Sequence, residues 1–285
     1  MTVIATPTRT SVSYAAGPLP ALRTTRASAF GALLLRDLTV LRKNLKEFVP
    51  RTLLQPFLLV FVFTYVFPKI GQGVGGSGKA AEGFSTLLVG GVIASAMIFQ
   101  GIQAVALPLV QDFGYTREIE DRVLAPLPVW AVAFEKVVQG AIQAMLAALV
   151  VFPLALFVPA TTVHLRINVL VLFTLLPLGS IMSAALGLAI GTRVEPKQVP
   201  LVFSLLVIPM TFLGCVYYPW GNLEPIKWLK IGVLINPLVY LNEGLRAALT
   251  PAGHMNLAVV YLVIAGFTAL LLRAGFSGFR RRVLA

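Results

Sequence analysis

Residues 83–111 read "GFSTLLVGGVIASAMIFQGIQAVALPLVQ" and contain no Asp, Glu, Lys or Arg. A helix needs about 20 predominantly apolar residues to cross a bilayer, and this stretch exceeds that length. Five more uncharged windows flank it, at 52–68, 137–165, 167–192, 198–223 and 247–272. Because a charge at the centre of a span costs about 2.5–3.5 kcal/mol, the windows predict an all-α integral membrane protein with six transmembrane helices.

The composition of the whole chain points to the same class. Of the 285 residues, 58% are hydrophobic, whereas soluble domains average about 45–50%. The net charge is +12, from 23 basic and 11 acidic residues. A basic excess is also typical of nucleic-acid binding, but in so apolar a chain it indicates loops held beside anionic lipid. We therefore expect membrane lipid, and not nucleic acid, as a partner.

The distribution of Lys and Arg predicts the orientation. With a cytoplasmic N-terminus, the inner side carries 17 basic residues and the outer side 6. Cytoplasmic loops carry the excess of such residues, so we expect a multi-pass protein of the cell (inner) membrane with both termini cytoplasmic. Residues 1–27 are rich in Thr, Ser, Pro and Gly. They predict a disordered cytoplasmic tail.

Residues 28–48 predict a basic amphipathic helix that lies along the inner leaflet, with a solvated surface helix as the alternative. Pro50 is expected to end this helix before the first span, and the transmembrane domain then covers 49–285. Leucines recur at helical spacing along one face, and charged side chains occupy the other: Leu33, Leu34, Leu38, Leu41 and Leu45 against Arg36, Asp37, Arg42, Lys43 and Lys46.

Several polar and aromatic side chains fall inside the predicted spans. A polar group at membrane depth is costly unless it faces a partner or a hydrated cavity. A transport pathway explains the glutamines, and hydrogen bonding between helices explains them as well. The candidate pathway residues are Gln55, Phe57 and Phe61 in span one, Gln100 and Gln103 in span two, Glu135, Gln139 and Gln143 in span three, and Phe203 and Phe212 in span five. In span four, Gly179, Ser183, Gly187 and Gly191 form a stripe of small residues that predicts close helix packing.

Two charged segments lie outside the spans. Five charged residues lie close together in the first cytoplasmic loop: Arg117, Glu118, Glu120, Asp121 and Arg122. This segment is either a solvated loop or a docking helix that is ended by prolines. The apolar segment 215–249 predicts two short helices that dip into the outer leaflet between spans five and six. Tyr240, Glu243 and Arg246 on the second of them are candidate outer-gate residues. Glu243 and Arg246 lie three residues apart and can pair.

No pattern in the chain suits catalysis. Cys215 is the single cysteine, which excludes an intramolecular disulfide. The segment "GVGGSGKA" (73–80) nearly matches a phosphate-binding loop, but Ala80 stands where the hydroxyl residue belongs and no strand precedes it. We therefore expect no enzyme and no cofactor bound by this chain.

Taken together, these sequence features resemble the permease family of ABC-2 type transporters over about residues 28–285. The segment "NPLVYLNEGLRAAL" (236–249) and the loop "TREIEDRVLAPLP" (116–128) carry the resemblance, together with the spans and the amphipathic helix. Many members have Gly-Thr in that loop, where this chain has Glu120, Asp121 and Arg122. The subfamily, and with it the substrate, therefore stays open.

The resemblance implies a permease subunit of an ABC exporter that forms a dimer with a second copy or a paralogue. ATP and Mg would be bound by partner ABC ATPase subunits, on which the charged loop would dock as a coupling helix. Aromatic and Met side chains along spans one and five suit a hydrophobic or amphipathic small molecule or lipid, of the drug or antibiotic type, moved outward. The alternatives are a polysaccharide or glycolipid exporter and, from another class, an ATP-independent channel or membrane scaffold.

Overall fold

A computed structural model describes residues 26–72, 79–116 and 127–284 of the chain. Every regular element in these ranges is helical, which confirms the all-α class. We number the helices in chain order: α1 Arg26–Lys43, α2 Leu45–Lys69, α3 Lys79–Gln111, α4 Val129–Phe157, α5 Val169–Gly191, α6 Pro196–Phe212, α7 Lys227–Gly232, α8 Pro237–Leu249 and α9 Leu257–Val283.

The number of spans is the first point on which structure and prediction differ. Five of the described helices, α2, α3, α4, α5 and α9, are long and apolar enough to cross a membrane. The fifth predicted span corresponds to α6, which is apolar but has only 17 residues, or about 25 Å of helix. The hydrocarbon core is about 30 Å thick. The six-span count is therefore not confirmed, because the helix ends at Phe212 and the chain turns at residues 213–215.

Two spans are displaced from their uncharged windows. Helix α4 begins at Val129, eight residues before the predicted window, and so includes Glu135 and Lys136. Lys136 is accommodated because its Nζ lies 2.6 Å from the Asp37 carboxylate. Helix α9 runs to Val283 and carries Arg273 on an exposed face. Charges near a helix end can be paired or exposed, so an uncharged window locates a span but does not fix its ends.

The connection between the amphipathic helix and the first span also differs from the prediction. The break falls at Asn44, whose backbone (φ −99°, ψ 14°) leaves the helical region. Pro50, predicted to end the helix, lies inside α2 together with Pro56. Asp37, predicted on the solvated face of α1, is buried. The amphipathic helix therefore ends one turn earlier than expected, and one of its charges points into the protein.

The centre of the bundle is held by close contact between α3 and α5. A Cβ added at Gly187 would lie 2.8 Å from the carbonyl oxygen of Gly101, and one added at Gly191 would lie 2.9 Å from Cα of Ala106. Any side chain at these positions would push the two helices apart. The small-residue stripe of span four therefore packs closely, as the sequence predicted; Gly187 and Gly191 lie against α3, and Gly179 lies against Leu241 of α8.

The bundle has two distinct ends, which we call the basic end and the opposite end. The basic end contains α1 and the C-terminal arginines, where the Arg282 guanidinium donates to the carbonyl of Val194 at 2.9 Å. At the opposite end, the Ser85 and Thr161 hydroxyls lie 2.7 Å apart. Segment 213–256 also lies at the opposite end, because Gly91 of α3 contacts Val216 there.

Candidate functional site

A polar cavity of about 430 Å³ opens at the basic end, among α1, α2, α3 and α4. We call it the amide cavity. A narrower space of about 40 Å³ continues from it between α2 and α3 and reaches Thr211 of α6. The polar residues that line the two spaces are Asp37, Asn44, Glu47, Arg51, Thr52, Gln55, Ser95, Gln100, Gln103, Gln111, Gln139, Gln143 and Thr211.

Hydrogen bonds connect the glutamines of this cavity across three helices. The Gln100 Nε2 group donates to Gln143 Oε1 at 3.1 Å, and the Thr52 hydroxyl donates to Gln100 Oε1 at 3.3 Å. The Arg51 guanidinium donates to Gln103 Oε1 at 3.1 Å. Gln100, Gln103 and Gln143 therefore both line a cavity and bond between helices, so for these three residues the two interpretations describe one arrangement. Their part in transport stays a prediction.

Glu135 is the exception among the predicted polar pathway residues. It is fully buried, and its carboxylate lies 3.9 Å from the Lys136 ammonium group. It does not appear among the residues that line the amide cavity. Helical spacing had placed it in line with Gln139 and Gln143, but it lies one turn nearer the helix end, beside Lys136.

A buried ion pair fastens α1 to α4 beside the amide cavity. The Lys136 Nζ lies 2.6 Å from Asp37 Oδ2, and the two side chains are 2% and 8% exposed. Burying two charges is expensive, so their close approach is what makes the arrangement tolerable. Sequence reasoning missed this pair because Asp37 was assigned to the solvated face and Lys136 to a loop. The available signal was that Asp37 is the single acidic residue of the basic helix α1. That signal does not indicate which cation pairs with it.

The aromatic candidates form a separate feature along α2. The rings of Phe57, Phe61 and Tyr65 stack in a row, with successive centroids 5.6 and 5.3 Å apart. Phe203 and Phe212 lie on α6, where Phe212 is largely exposed. None of the four predicted phenylalanines lines the amide cavity. The pathway candidates are therefore divided into an amide-lined cavity and an apolar surface beside it.

At the opposite end, Glu243 and Arg246 form the predicted pair, and both are buried. The Glu243 carboxylate accepts hydrogen bonds from the Arg246 guanidinium and from the backbone N–H groups of Trp220 (2.9 Å) and Met255 (2.8 Å). Arg246 also donates to the carbonyl of Cys215 at 3.0 Å. We call these two side chains and the three backbone groups the outer clamp, because it ties two loops to α8.

The remaining outer-gate candidate and the cysteine lie close to the outer clamp. The Tyr240 hydroxyl donates to the carbonyl of Leu234 at 3.0 Å, so it holds the start of α8 but is not part of the clamp. Cys215 has a φ of 56°, which is unusual for a residue with a side chain. Burial is the main cause that raises the pKa of the Cys215 thiol to about 12, and the Glu243 charge adds to it. Burial also raises the pKa of Tyr240. Both groups are therefore neutral at physiological pH.

The charged loop residues Arg117, Glu118, Glu120, Asp121 and Arg122 lie outside the described residues. Their predicted docking role stays a prediction. Their described neighbours belong to the basic end, because Gly114 contacts Pro196 there. Across 26–72, 79–116 and 127–284, no three His, Cys, Asp or Glu side chains are grouped in a way that would suit a metal ion.

Comparison with known proteins assigns the fold to a family. Residues 28–250 match the family described as ABC-2 type transporter, so the chain belongs to the ABC-2 type transporter family and is a multi-pass transporter permease. It is similar to the inner membrane transport permease YadH of Escherichia coli strain K12, with 27% identity over 223 residues, which is 76% of this chain and 82% of the relative. The YadH proteins of Escherichia coli O157:H7 and Shigella flexneri match with the same values.

Proposed function

We propose that this permease is the membrane subunit of an ABC exporter for a hydrophobic or amphipathic small molecule or a lipid. The amide cavity carries this proposal. It opens at the basic end, its glutamines can donate and accept hydrogen bonds, and a partly exposed aromatic row lies beside it on α2. A molecule with a polar head and an apolar body matches both features, since the head would enter the cavity while the body follows the rings.

A second permease, as an identical copy or a paralogue, would complete the pathway. The exposed faces of α2 and α6 carry large apolar side chains, among them Leu54, Phe57, Leu205 and Phe212. Helix α6 also contributes Thr211 to the narrow space that continues from the amide cavity. A partner seated on these two helices would cover the open side of the pathway and separate it from lipid.

ATP hydrolysis would take place on partner ABC ATPase subunits at the basic end, which we place in the cytoplasm. The excess of Lys and Arg on that side supports the orientation. Residues 117–122 would dock on the ATPase by charge complementarity, and the ion pair between Asp37 and Lys136 would carry the motion of α1 to α4. Export then runs from the basic end to the opposite end, where the outer clamp holds the external loops.

The test is ATPase activity of the permease reconstituted with its ATPase in lipid nanodiscs. Hydrophobic drugs, phospholipids and lipid-linked glycans are titrated separately. We expect stimulation by an amphipathic compound, and we expect Gln143→Leu and Phe61→Ala to weaken it. The matched controls are Gln72→Leu and Phe173→Ala, two exposed residues outside the cavity and the aromatic row. Equal loss in the test and control variants would refute the assignment of the pathway.

A polysaccharide or glycolipid exporter is the second candidate. The observation that favours it is the number of amides in the cavity, since sugars bind through many hydrogen bonds while aromatic rings contact their faces. Stimulation by lipid-linked glycan alone would establish this alternative, provided that Phe61→Ala and Phe212→Ala leave drug susceptibility unchanged. Stimulation by drugs or phospholipids would exclude it.

A further inference from the structure

An apolar groove of about 520 Å³ lies between α4 and α5 and shares no residue with the amide cavity. Its size falls within the range of small-molecule sites, about 300–1,000 Å³. The walls are hydrocarbon and thioether side chains, among them Met145, Leu149 and Phe152 of α4 with Leu172 and Leu176 of α5. Such a surface offers no hydrogen bond to a ligand, so its occupant must present an apolar chain.

The length of the groove matches one leaflet of a bilayer. On α4 its lining runs from Ile142 to Phe152, ten residues apart. At about 1.5 Å per residue this is about 15 Å, which is half of the hydrocarbon thickness of about 30 Å. The groove ends at Ile167 and Leu249, at the opposite end of the bundle. It therefore follows the depth of the leaflet on that side.

A polar cavity of about 430 Å³ adjoins the groove and shares Ile167 with it. We call it the rim cavity. Its polar lining comes from Arg166, Asn168, Thr250 and His254. The two cavities therefore meet where the apolar interior of the bilayer would give way to its headgroup region.

Arg166 is held at this boundary by its backbone and keeps its side chain available. Its N–H donates to the carbonyl of Leu249 at 2.9 Å, and the N–H of Asn168 donates to the carbonyl of Ala248 at 2.7 Å. Residues 166–168 are thereby fixed to the end of α8. Within the described part of the chain, no hydrogen bond or ion pair engages the exposed Arg166 guanidinium.

The charge of the rim cavity is positive. Among the described residues that line it there is no carboxylate. The Glu82 carboxylate lies 3.4 Å from His164 Nε2, and Glu243 belongs to the outer clamp; neither lines the rim cavity. An anionic group is therefore the complement of this cavity, and an oxygen-rich phosphodiester fits the guanidinium donors of Arg166.

We propose that the rim cavity and the apolar groove together form a binding site for an anionic glycerophospholipid, with its phosphate at Arg166 and an acyl chain in the groove. The site is independent of the transport proposal and requires only that the chain lies in a membrane. Lipid tails in the surrounding bilayer are as apolar as the groove, so an acyl chain can fit the groove without making it prefer one lipid over another. The preference over zwitterionic lipid comes from net charge: the phosphate of an anionic headgroup has no ammonium group of its own to neutralise it, so Arg166 attracts it more strongly.

The experiment titrates the purified permease in detergent with phosphatidylglycerol and counts bound lipid by native mass spectrometry. Phosphatidylcholine and glycerol 1-phosphate are titrated in parallel. We expect saturable binding of phosphatidylglycerol that Arg166→Gln weakens about tenfold, the effect of losing one charge-assisted hydrogen bond. Arg166→Lys should retain most of the affinity. Lys227→Gln, which removes an exposed cation elsewhere at the same end, should leave it unchanged.

A second variant tests the groove. Met145→Trp places a bulky indole ring in it and should also weaken phosphatidylglycerol binding, whereas Leu262→Trp on the exposed face of α9 should not. Equal binding of phosphatidylcholine, equal binding of glycerol 1-phosphate, or an unchanged titration in Arg166→Gln would overturn the proposal. A change of oligomeric mass in Met145→Trp would overturn it as well, because the groove would then be an interface between copies of the chain.

Discussion

The outer clamp gives a prediction whose size follows from its geometry. Glu243→Gln keeps the shape of the side chain but removes its charge, which leaves the fully buried Arg246 guanidinium without a counterion. Removing one partner of a buried ion pair costs about 3–5 kcal/mol. For a chain of this size, a loss of that order lowers the Tm by roughly 6–20 °C. The backbone N–H groups of Trp220 and Met255 also lose a charged acceptor, so the upper half of that range is expected.

The measurement is thermal unfolding of the permease in lipid nanodiscs at one fixed scan rate, since membrane proteins often unfold irreversibly. The matched control is Glu224→Gln, because Glu224 pairs with Lys230 at an exposed site where an ion pair contributes only about 0–1 kcal/mol. The double variant Glu243→Gln with Arg246→Met should be less destabilised than the sum of the two single variants. The reasoning fails if Glu243→Gln matches the control or if the two single effects add.

Three further predictions concern the basic end and the cysteine. Lys136→Met should cost about 3–5 kcal/mol and speed hydrogen exchange in α1, since Asp37 loses its buried partner; unchanged exchange would contradict this role. Reversing Glu120 and Asp121 to Lys together should leave the permease in the membrane but weaken copurification with its ATPase, because each exposed pair alone contributes little. Undiminished copurification would exclude docking through this loop. Cys215 should resist N-ethylmaleimide at pH 8, where a thiol of pKa about 12 holds about one thiolate in ten thousand. It should react once SDS unfolds the chain, and rapid labelling of the native protein would refute its burial.

The sequence predicts the helical class well because apolar windows reflect the hydrophobic effect, which acts on averages over many residues. The ends of the spans depend on individual charges. Lys136 enters α4 because a carboxylate 99 residues away neutralises it, and a count of charges along the chain cannot show that contact. Likewise, α6 ends at Phe212 although its window continues without a charge to residue 223. There the chain turns sharply at Cys215, whose carbonyl is held by Arg246.

The candidate site was predictable in its residue types and not in its arrangement. Spacing along α4 correctly placed Gln139 and Gln143 on a shared face, because helical period depends only on local geometry. The same period included Glu135, which is buried beside Lys136 instead. The pair of Glu243 and Arg246 was found because residues three apart on a helix are neighbours. Its bonds to Trp220 and Met255 needed the tertiary structure.

The contact between α3 and α5 has a consequence for how the protein can move. The backbones of α3 and α5 touch at Gly101 and Gly187, so no layer of side chains separates the two helices. This pair should therefore move as one rigid unit. The adaptable parts lie elsewhere, in the widened π-helical turns Phe61–Val66 of α2 and Phe203–Val207 of α6. One such turn accommodates one extra residue and rotates the following side chains by about 100°. A one-residue deletion within either turn should therefore be absorbed, because the turn returns to α-helical winding. The same deletion in α3 or α5 would move the glycines out of register and break the close contact between these two helices.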